Sequence, residues 1–183
     1  MRTFHLTSPF EMTGLDPDQE SIMSICCFIT DAQLNLKDET GWEAIVHHEK
    51  ERLDQMDKWC IKTHGNTGLT AACIESKTTH EEAATGLLEY IKHYVPQPRS
   101  SLLAGNSVHH DKIFLSKGPY KAVTDYLGYR IMDVSSIKEA VKRWSPDEIL
   151  SEIPAKKGLH KAREDILESI EEARYYREKL FIK

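Results

Sequence analysis

The chain has 183 residues, 40% of them hydrophobic and 29% charged, so its length predicts one domain whose core needs neither disulfides nor a structural metal. Its 24 basic and 29 acidic residues give a net charge of −5, which argues against holding long duplex nucleic acid through many phosphate contacts. No apolar run is long enough for a membrane span, and no presequence is visible at the N-terminus. These features predict a soluble, intracellular protein.

The four cysteines, at positions 26, 27, 60 and 73, do not form the CxxC spacing of a zinc site. They are predicted to be reduced thiols, two of them acting as small hydrophobic residues.

The first half of the chain predicts two strands and two helical segments. Ser21–Asp31 is a β-branched, apolar run that predicts a buried strand, and Trp42–His47 alternates enough to form the next one. Glu49–Lys62 places Leu, Met and Trp at helical spacing. His80–Tyr94 predicts an amphipathic helix that ends before two prolines.

The second half continues this alternation. Its predicted elements are a strand over Leu102–Asn106, a helix over Asp111–Lys117, a strand over Tyr129–Val134, a helix capped by Ser135 and Ser136 that ends at Trp144, and a long charged helix from about Lys161. The charge run Glu164–Lys179 is expected to form the solvated face of that last helix, with Tyr175, Tyr176 and Leu180 packed inward. Alternating strands and helices predict an α/β domain with a mixed sheet.

Three acids and one histidine occupy places where loops meet regular elements. Glu11 precedes a turn, Asp111 follows a buried strand, and His160 and Asp165 lie near the start of the last helix. Carboxylates suit Mg²⁺ or Mn²⁺, two such ions can bind the attacking and leaving oxygens of a phosphodiester, and a neutral His can deprotonate water. Taken alone, each acid can equally be a helix cap or a solvated charge.

Several blocks occur along the chain in a fixed order. They are Glu11-Met12-Thr13-Gly14-Leu15-Asp16, Trp59 with Thr63-His64, Gly105-Asn106-Ser107 followed by Asp111, Tyr129-Arg130, Asp133-Val134-Ser135, His160 with Asp165, and Tyr175-Tyr176-Arg177-Glu178. From about Phe10 to Lys183 the chain resembles the oligoribonucleases, a family within the DEDDh group of 3′→5′ exonucleases. The stretches around its paired cysteines and Trp59 look more like the eukaryotic, fungal branch.

The resemblance implies a ribonuclease H-like fold, a homodimer, and two-metal hydrolysis of very short RNA, such as dinucleotides, to 5′-mononucleotides with Mg²⁺ or Mn²⁺. It identifies Glu11, Asp111 and Asp165 with metal-binding carboxylates and His160 with the general base. The implied substrate-binding residues are Leu15 as a wedge against a base, Trp59 and His64 in the substrate pocket, Ser107 and Ser135 at the terminal phosphate, and Tyr129 and Arg130 contributed across the dimer. A dinucleotide needs stacking surfaces and a capped end rather than a basic groove, which agrees with the net charge.

The sequence departs from the family at one metal-binding position. The family's first Asp precedes the Glu by two residues, and here that position is Pro9, whose side chain cannot bind a metal. The run Arg2–Phe10 also lacks the apolar strand character of the family, so residues 1–10 form an atypical segment of a single exonuclease domain spanning 1–183. A second departure is Gly128, where bacterial members carry a His beside the tyrosine.

Three interpretations therefore remain open. The chain is an active exoribonuclease, or it is a relative that binds short RNA without efficient turnover, as Pro9 favours, or residues 1–10 are not the authentic start. Without the resemblance, Trp59 is more often a core residue than a stacking platform, and His64 could equally be a turn residue. The expected location is mitochondrial or cytoplasmic.

Overall fold

The computed structural model describes residues 4–7, 10–155 and 162–182. Its strands are β1 (Phe4–Thr7), β2 (Phe10–Met12), β3 (Ile22–Thr30), β4 (Trp42–Ile45), β5 (Ser101–Gly105) and β6 (Ile131–Asp133). They form one mixed sheet in the order β2-β3-β1-β5-β6, and β4 also pairs with β3. The β1–β5 and β5–β6 pairs are parallel, whereas β3 is antiparallel to β1, β2 and β4.

Strand β3 pairs with three other strands, and all nine of its residues are buried. Ile25, Cys27 and Ile29 belong to one hydrophobic cluster, while Cys26 and Phe28 belong to another on the opposite face. Side chains of a strand alternate between its two faces, so a strand covered on both sides reads as a continuous apolar run. The predicted strand at Ser21–Asp31 is confirmed for this reason.

Helices cover both faces of the sheet. They are α1 (Lys50–Leu53), α2 (Lys58–Thr67), α3 (Leu69–Glu75), α4 (His80–Tyr94), α5 (His109–Leu115), α6 (Lys121–Tyr126), α7 (Val134–Trp144), α8 (Asp147–Ser151) and α9 (Ala162–Tyr176), with a 3₁₀ turn at Gly118–Tyr120 and a π-helical turn at Arg177–Phe181. Helix α4 packs in the first cluster, and α7 and α9 pack in the second. A mixed sheet between two helical layers is the α/β architecture that the sequence predicts.

Several predicted elements have different limits in the structure. The helical segment predicted over Glu49–Lys62 is two helices, α1 and α2, because Asp57 begins a new helix by accepting hydrogen bonds from the backbone N–H groups of Trp59 (2.7 Å) and Cys60 (2.9 Å). Helix α3 was not predicted. The residue that caps α7 is Asp133, which accepts from the backbone N–H of Ser135 at 2.9 Å, so the expectation of a serine cap was wrong.

The N-terminal segment forms strand structure despite its sequence. Strand β1 pairs with the second half of β3 and with β5, and β2 pairs with the first half of β3. The inference that Arg2–Phe10 lacks strand character is therefore wrong for Phe4–Thr7, where pairing on both sides outweighs the weak local preference. Pro9 lies between the two strands, outside the described residues.

All four cysteines are buried free thiols, as predicted. Burial is the largest cause that raises the pKa of Cys26, Cys60 and Cys73 to about 12, so these thiols stay protonated and pack as small hydrophobic residues. Among the residues that the structure describes, no helix has the length and apolar character needed to cross a membrane.

Candidate active site

A half-buried acid and a buried acid meet where β2 approaches the start of α5. Glu11 lies on β2 with a side chain that is 18% exposed, and a β-bulge between Glu11 and Met12 interrupts the pairing with β3. Asp111 lies in the first turn of α5, is 7% exposed, and accepts a hydrogen bond from the backbone N–H of Phe10 at 3.1 Å. The carboxylate of α5 is thereby held against the strand that carries Glu11.

Both acids have unusual protonation behaviour. Burial, and then the charge of Asp165, raise the pKa of Glu11 to about 7. Burial also raises the pKa of Asp111 to about 7, with smaller contributions from the charges of Glu11 and Asp133 and an opposing one from the Phe10 hydrogen bond. A bound divalent cation would offset both the lost hydration of these carboxylates and the repulsion between their charges. The carboxylates of Glu11 and Asp111 therefore have the chemistry of ligands for a hard metal ion.

The third predicted acid, Asp165, lies in the first turn of α9 and influences the pKa of Glu11, so the fold places all three acids in one electrostatic neighbourhood. No group of three His, Cys, Asp or Glu side chains within the described ranges is close enough to hold a metal. His160 lies outside the described residues. The assignment of metal-binding and general-base roles therefore remains a prediction.

A pocket of about 380 Å³ opens beside Glu11 and is also lined by Leu15, Trp59 and His64. Leu15 is 74% exposed and Trp59 is 58% exposed, so neither is a core residue. His64 is buried within α2 and donates from Nε2 to the backbone carbonyl of Met12 at 3.1 Å, so the alternative of a turn residue is wrong. Two exposed apolar side chains beside Glu11 form a surface on which a base can stack.

The serine pair predicted to hold a terminal phosphate is brought together by the structure. The hydroxyl oxygens of Ser107 and Ser135 lie 3.3 Å apart. One carboxylate oxygen of Asp133 accepts from the backbone N–H groups of both residues, at 3.1 Å and 2.9 Å. Ser107 has a left-handed backbone (φ 53°), which this double anchor helps to hold. The other Asp133 oxygen lies 3.1 Å from His109 Nδ1.

Tyr129 and Arg130 lie just before β6. Tyr129 is 74% exposed, and the Arg130 guanidinium lies over its ring, 4.4 Å from the centroid. Neither residue lines the pocket beside Glu11. The preceding Gly128 approaches the backbone so closely that a Cβ there would lie 2.9 Å from the carbonyl oxygen of Ser101, so a side chain at this position needs a backbone shift.

Two residues in this region were given no functional role from the sequence. Asp133 anchors both serines, and its position just before a helix is the sequence signal of an N-cap that would have revealed it. Glu172 was assigned to the solvated face of the last helix, but it is fully buried, so that assignment was wrong. A single acid in a charged run gives no local signal of burial, because Lys138 and Asn106, which contact it, are distant in sequence.

Comparison with known proteins identifies the class of protein. Residues 10–173 match the family model described as Exonuclease. The chain is 46% identical over 169 residues to a protein from Schizosaccharomyces pombe named probable oligoribonuclease, and 44% identical over 172 residues to the oligoribonuclease of Neisseria meningitidis. It is 41% identical over 172 residues to a Saccharomyces cerevisiae protein named oligoribonuclease, mitochondrial.

These alignments cover 91%, 94% and 91% of this chain, and 64%, 89% and 63% of the respective relatives. The chain thus spans a little under two thirds of the two yeast relatives. It belongs to the oligoribonuclease family of exonucleases.

Solved structures support the fold. A zinc-bound complex of Escherichia coli exonuclease I with single-stranded DNA aligns with a TM-score of 0.72 at 12% identity, covering 98% of this chain and 41% of that one. Exonuclease I from Methylocaldum szegediense aligns with a TM-score of 0.70 at 17% identity, covering 97% of this chain and 41% of that one. These likenesses confirm the predicted ribonuclease H-like arrangement of a mixed sheet flanked by helices.

Proposed function

We propose that this chain is a metal-dependent 3′→5′ exoribonuclease that hydrolyses very short RNA, above all dinucleotides, to 5′-mononucleotides. The observation that carries the proposal is the pocket in which exposed Leu15 and Trp59 lie beside half-buried Glu11. A base stacked in that pocket would bring its phosphodiester to the acids, and the curated relatives named above are oligoribonucleases.

In this mechanism Leu15 acts as a wedge against a base, while Trp59 and His64 form the walls of the pocket. Glu11, Asp111 and Asp165 would hold Mg²⁺ or Mn²⁺, and such ions supply Lewis acidity at the scissile phosphate when bound. His160 would accept the proton of the attacking water as the bond between phosphorus and the leaving 3′ oxygen breaks.

The serine pair would receive the other end of the substrate. Hydrolysis begins at the free 3′ end, so a terminal phosphate of a short RNA lies at its 5′ end. The hydroxyls of Ser107 and Ser135 are held 3.3 Å apart, a separation at which both can donate to one phosphate group. This end cap would favour substrates of about two nucleotides over long ones.

We further propose a homodimer in which Tyr129 and Arg130 reach the substrate of the partner subunit. The exposure of Tyr129 and its absence from the pocket of its own chain support this arrangement. Light scattering at micromolar concentration should give twice the chain mass. A monomer that still hydrolyses dinucleotides would remove the cross-subunit role.

The domain is proposed to extend over residues 1–183, with mitochondrial or cytoplasmic location. The Saccharomyces cerevisiae relative is named mitochondrial, which favours the first compartment. Fractionation of cells that express the native gene product would distinguish the two.

The function is tested by mononucleotide release from a labelled diribonucleotide in Mg²⁺ and in Mn²⁺, with Asp111→Asn as the inactive control. Calorimetry in Ca²⁺ should show tighter binding of the dinucleotide than of a mononucleotide or a ten-mer, and equal affinities would contradict the proposal. Binding without release would favour the binding-only alternative that Pro9 suggests; the names of the relatives give that alternative no support.

A further inference from the structure

A buried carboxylate lies directly beneath the serine pair. Glu172 on α9 is 0% exposed, and its Oε1 lies 3.1 Å from Lys138 Nζ and accepts from the Tyr176 hydroxyl at 2.9 Å. Its Oε2 accepts from Asn106 Nδ2 at 3.2 Å. A charge buried this deeply is costly unless it is paired and hydrogen-bonded, so these contacts fix the positions of the groups around it.

The network reaches the serines through Asn106. Asn106 immediately precedes Ser107, and its Nδ2 also donates to Ser135 Oγ at 3.3 Å. The Glu172 carboxylate only accepts, so it identifies the nitrogen side of the Asn106 amide. The Asn106 Oδ1 lies 2.5 Å from Ser169 Oγ, which is also 2.7 Å from the backbone carbonyl oxygen of Asp165. Lys138 lies one turn after Ser135 on α7. Glu172 therefore holds the chain on both sides of the serine pair.

We propose that Glu172 is a positioning residue for the terminal phosphate of short RNA. It fixes the amide of Asn106, and through that amide it sets the separation and direction of the Ser107 and Ser135 hydroxyls. The proposal rests on the proposed function, in which these two serines receive that phosphate. Glu172 itself is buried and does not touch the substrate.

The substitution Glu172→Gln tests this role with almost no change in volume. It replaces one acceptor oxygen by an NH₂ donor, which must then face either the Asn106 amide donor or the Lys138 ammonium. Rotating the Asn106 amide to restore the first contact would place its oxygen, instead of its NH₂ group, beside Ser135 Oγ. Glu172→Gln therefore either sets an NH₂ donor against the Lys138 ammonium or places the Asn106 oxygen beside the Ser135 hydroxyl, whose proton is then drawn away from the ligand. Either arrangement changes the geometry of the serine pair.

The experiment measures affinity by calorimetry in Ca²⁺ for two ligands, diadenylate with a 5′ phosphate and diadenylate without it. The proteins are wild type, Glu172→Gln, Ser135→Ala and the double variant. Ile170→Val is the control, because Ile170 is 3% exposed in the same helix and makes only packing contacts in the second cluster. Urea unfolding is measured for each variant to check that it is folded.

We expect Glu172→Gln to weaken binding of the phosphorylated ligand roughly tenfold, the loss for one charged hydrogen bond, while the unphosphorylated ligand binds as before. The double variant should be no weaker than the weaker single variant, because both changes act on one contact. Ile170→Val should leave the preference for the phosphate intact. If Glu172→Gln does not fold, Asn106→Ala cuts the same connection from the half-buried side and should show the same selective loss.

Two results would overturn the proposal alone. In one, Ser135→Ala abolishes the preference for the phosphate but Glu172→Gln retains it. In the other, Glu172→Gln weakens both ligands equally, which indicates a merely structural role. A wild-type protein that binds both ligands equally would instead contradict the proposed function of the serine pair, and the role of Glu172 with it.

Discussion

The buried acids predict that the site destabilises the metal-free fold at neutral and alkaline pH. A carboxyl group whose pKa is raised by folding does not lower the free energy of unfolding below its unfolded-state pKa, because it is then protonated in both the folded and the unfolded state. Above that value the unfolded state ionises freely while the folded state resists, so stability falls until the folded pKa is passed. For Glu11 this interval runs from 4.5 to about 7. Replacing Glu11 by Gln removes this ionisation and therefore the loss of stability that it causes.

The size of the effect follows from the pKa shift. At 1.36 kcal/mol per unit, the change from 4.5 to about 7 corresponds to about 3 kcal/mol at pH 8 and to less than about 1 kcal/mol at pH 5. The Glu11 side chain is 18% exposed, so solvent screening reduces this only modestly. Removing the Glu11 charge also eases the ionisation of Asp111, which adds to the gain.

The assay is urea unfolding in the presence of EDTA at pH 5 and pH 8, with tryptophan fluorescence as the signal. Glu11→Gln should be more stable than wild type by about 3 kcal/mol at pH 8 and by less than about 1 kcal/mol at pH 5. Added Mn²⁺ should stabilise wild type but not the variant. Glu43→Gln, a 53% exposed acid paired with Arg163, is the control and should show no gain at pH 8. A Glu11→Gln protein that loses stability at pH 8 would refute the reasoning.

Three further predictions concern the site and the core. Pro9→Asp should raise the Mg²⁺-dependent rate of mononucleotide release from a labelled diribonucleotide on the order of 10²–10⁴-fold, because the new carboxylate would supply the missing metal ligand. Full Mg²⁺-dependent activity in the chain with Pro9 would show that another group acts as that ligand. Trp59→Ala should weaken dinucleotide binding by about 1–3 kcal/mol in calorimetry with no shift of the urea midpoint, and an equal loss for an abasic ligand would exclude stacking. Leu87→Ala, at a residue with 0% exposure on α4, should lower the free energy of unfolding by about 2–5 kcal/mol, and a loss below about 1 kcal/mol would mean that the core closes around the gap.

The sequence predicted those elements whose pattern is set by local burial. Strand β3 was identified because both of its faces are covered, and α4 because its apolar stripe has helical spacing and two prolines follow it. The break between α1 and α2 was missed because Met56 and Trp59 continue the helical spacing of Leu53 across Asp57. A spacing pattern cannot show that a side chain has begun a new helix.

The residues of the candidate site also differ in whether the sequence indicated them. The resemblance selected Glu11, Asp111 and the serine pair, and the fold brings the two acids together and the serines together. It gave no indication of Glu172, whose burial depends on Asn106 and Lys138 from two other elements. Charge patterns report solvation only where tertiary packing does not intervene.

The position of β3 has a consequence for hydrogen exchange. Its amides lie between two hydrophobic clusters and among three partner strands, so Ile25–Ile29 can exchange with solvent only when the whole domain unfolds. Strand β2 has three residues and pairs only with β3 among the described strands, so the amide of Glu11 can exchange through a smaller opening. Deuterium uptake at these two places therefore measures, in one sample, the stability of the domain and the stability of the acid site separately.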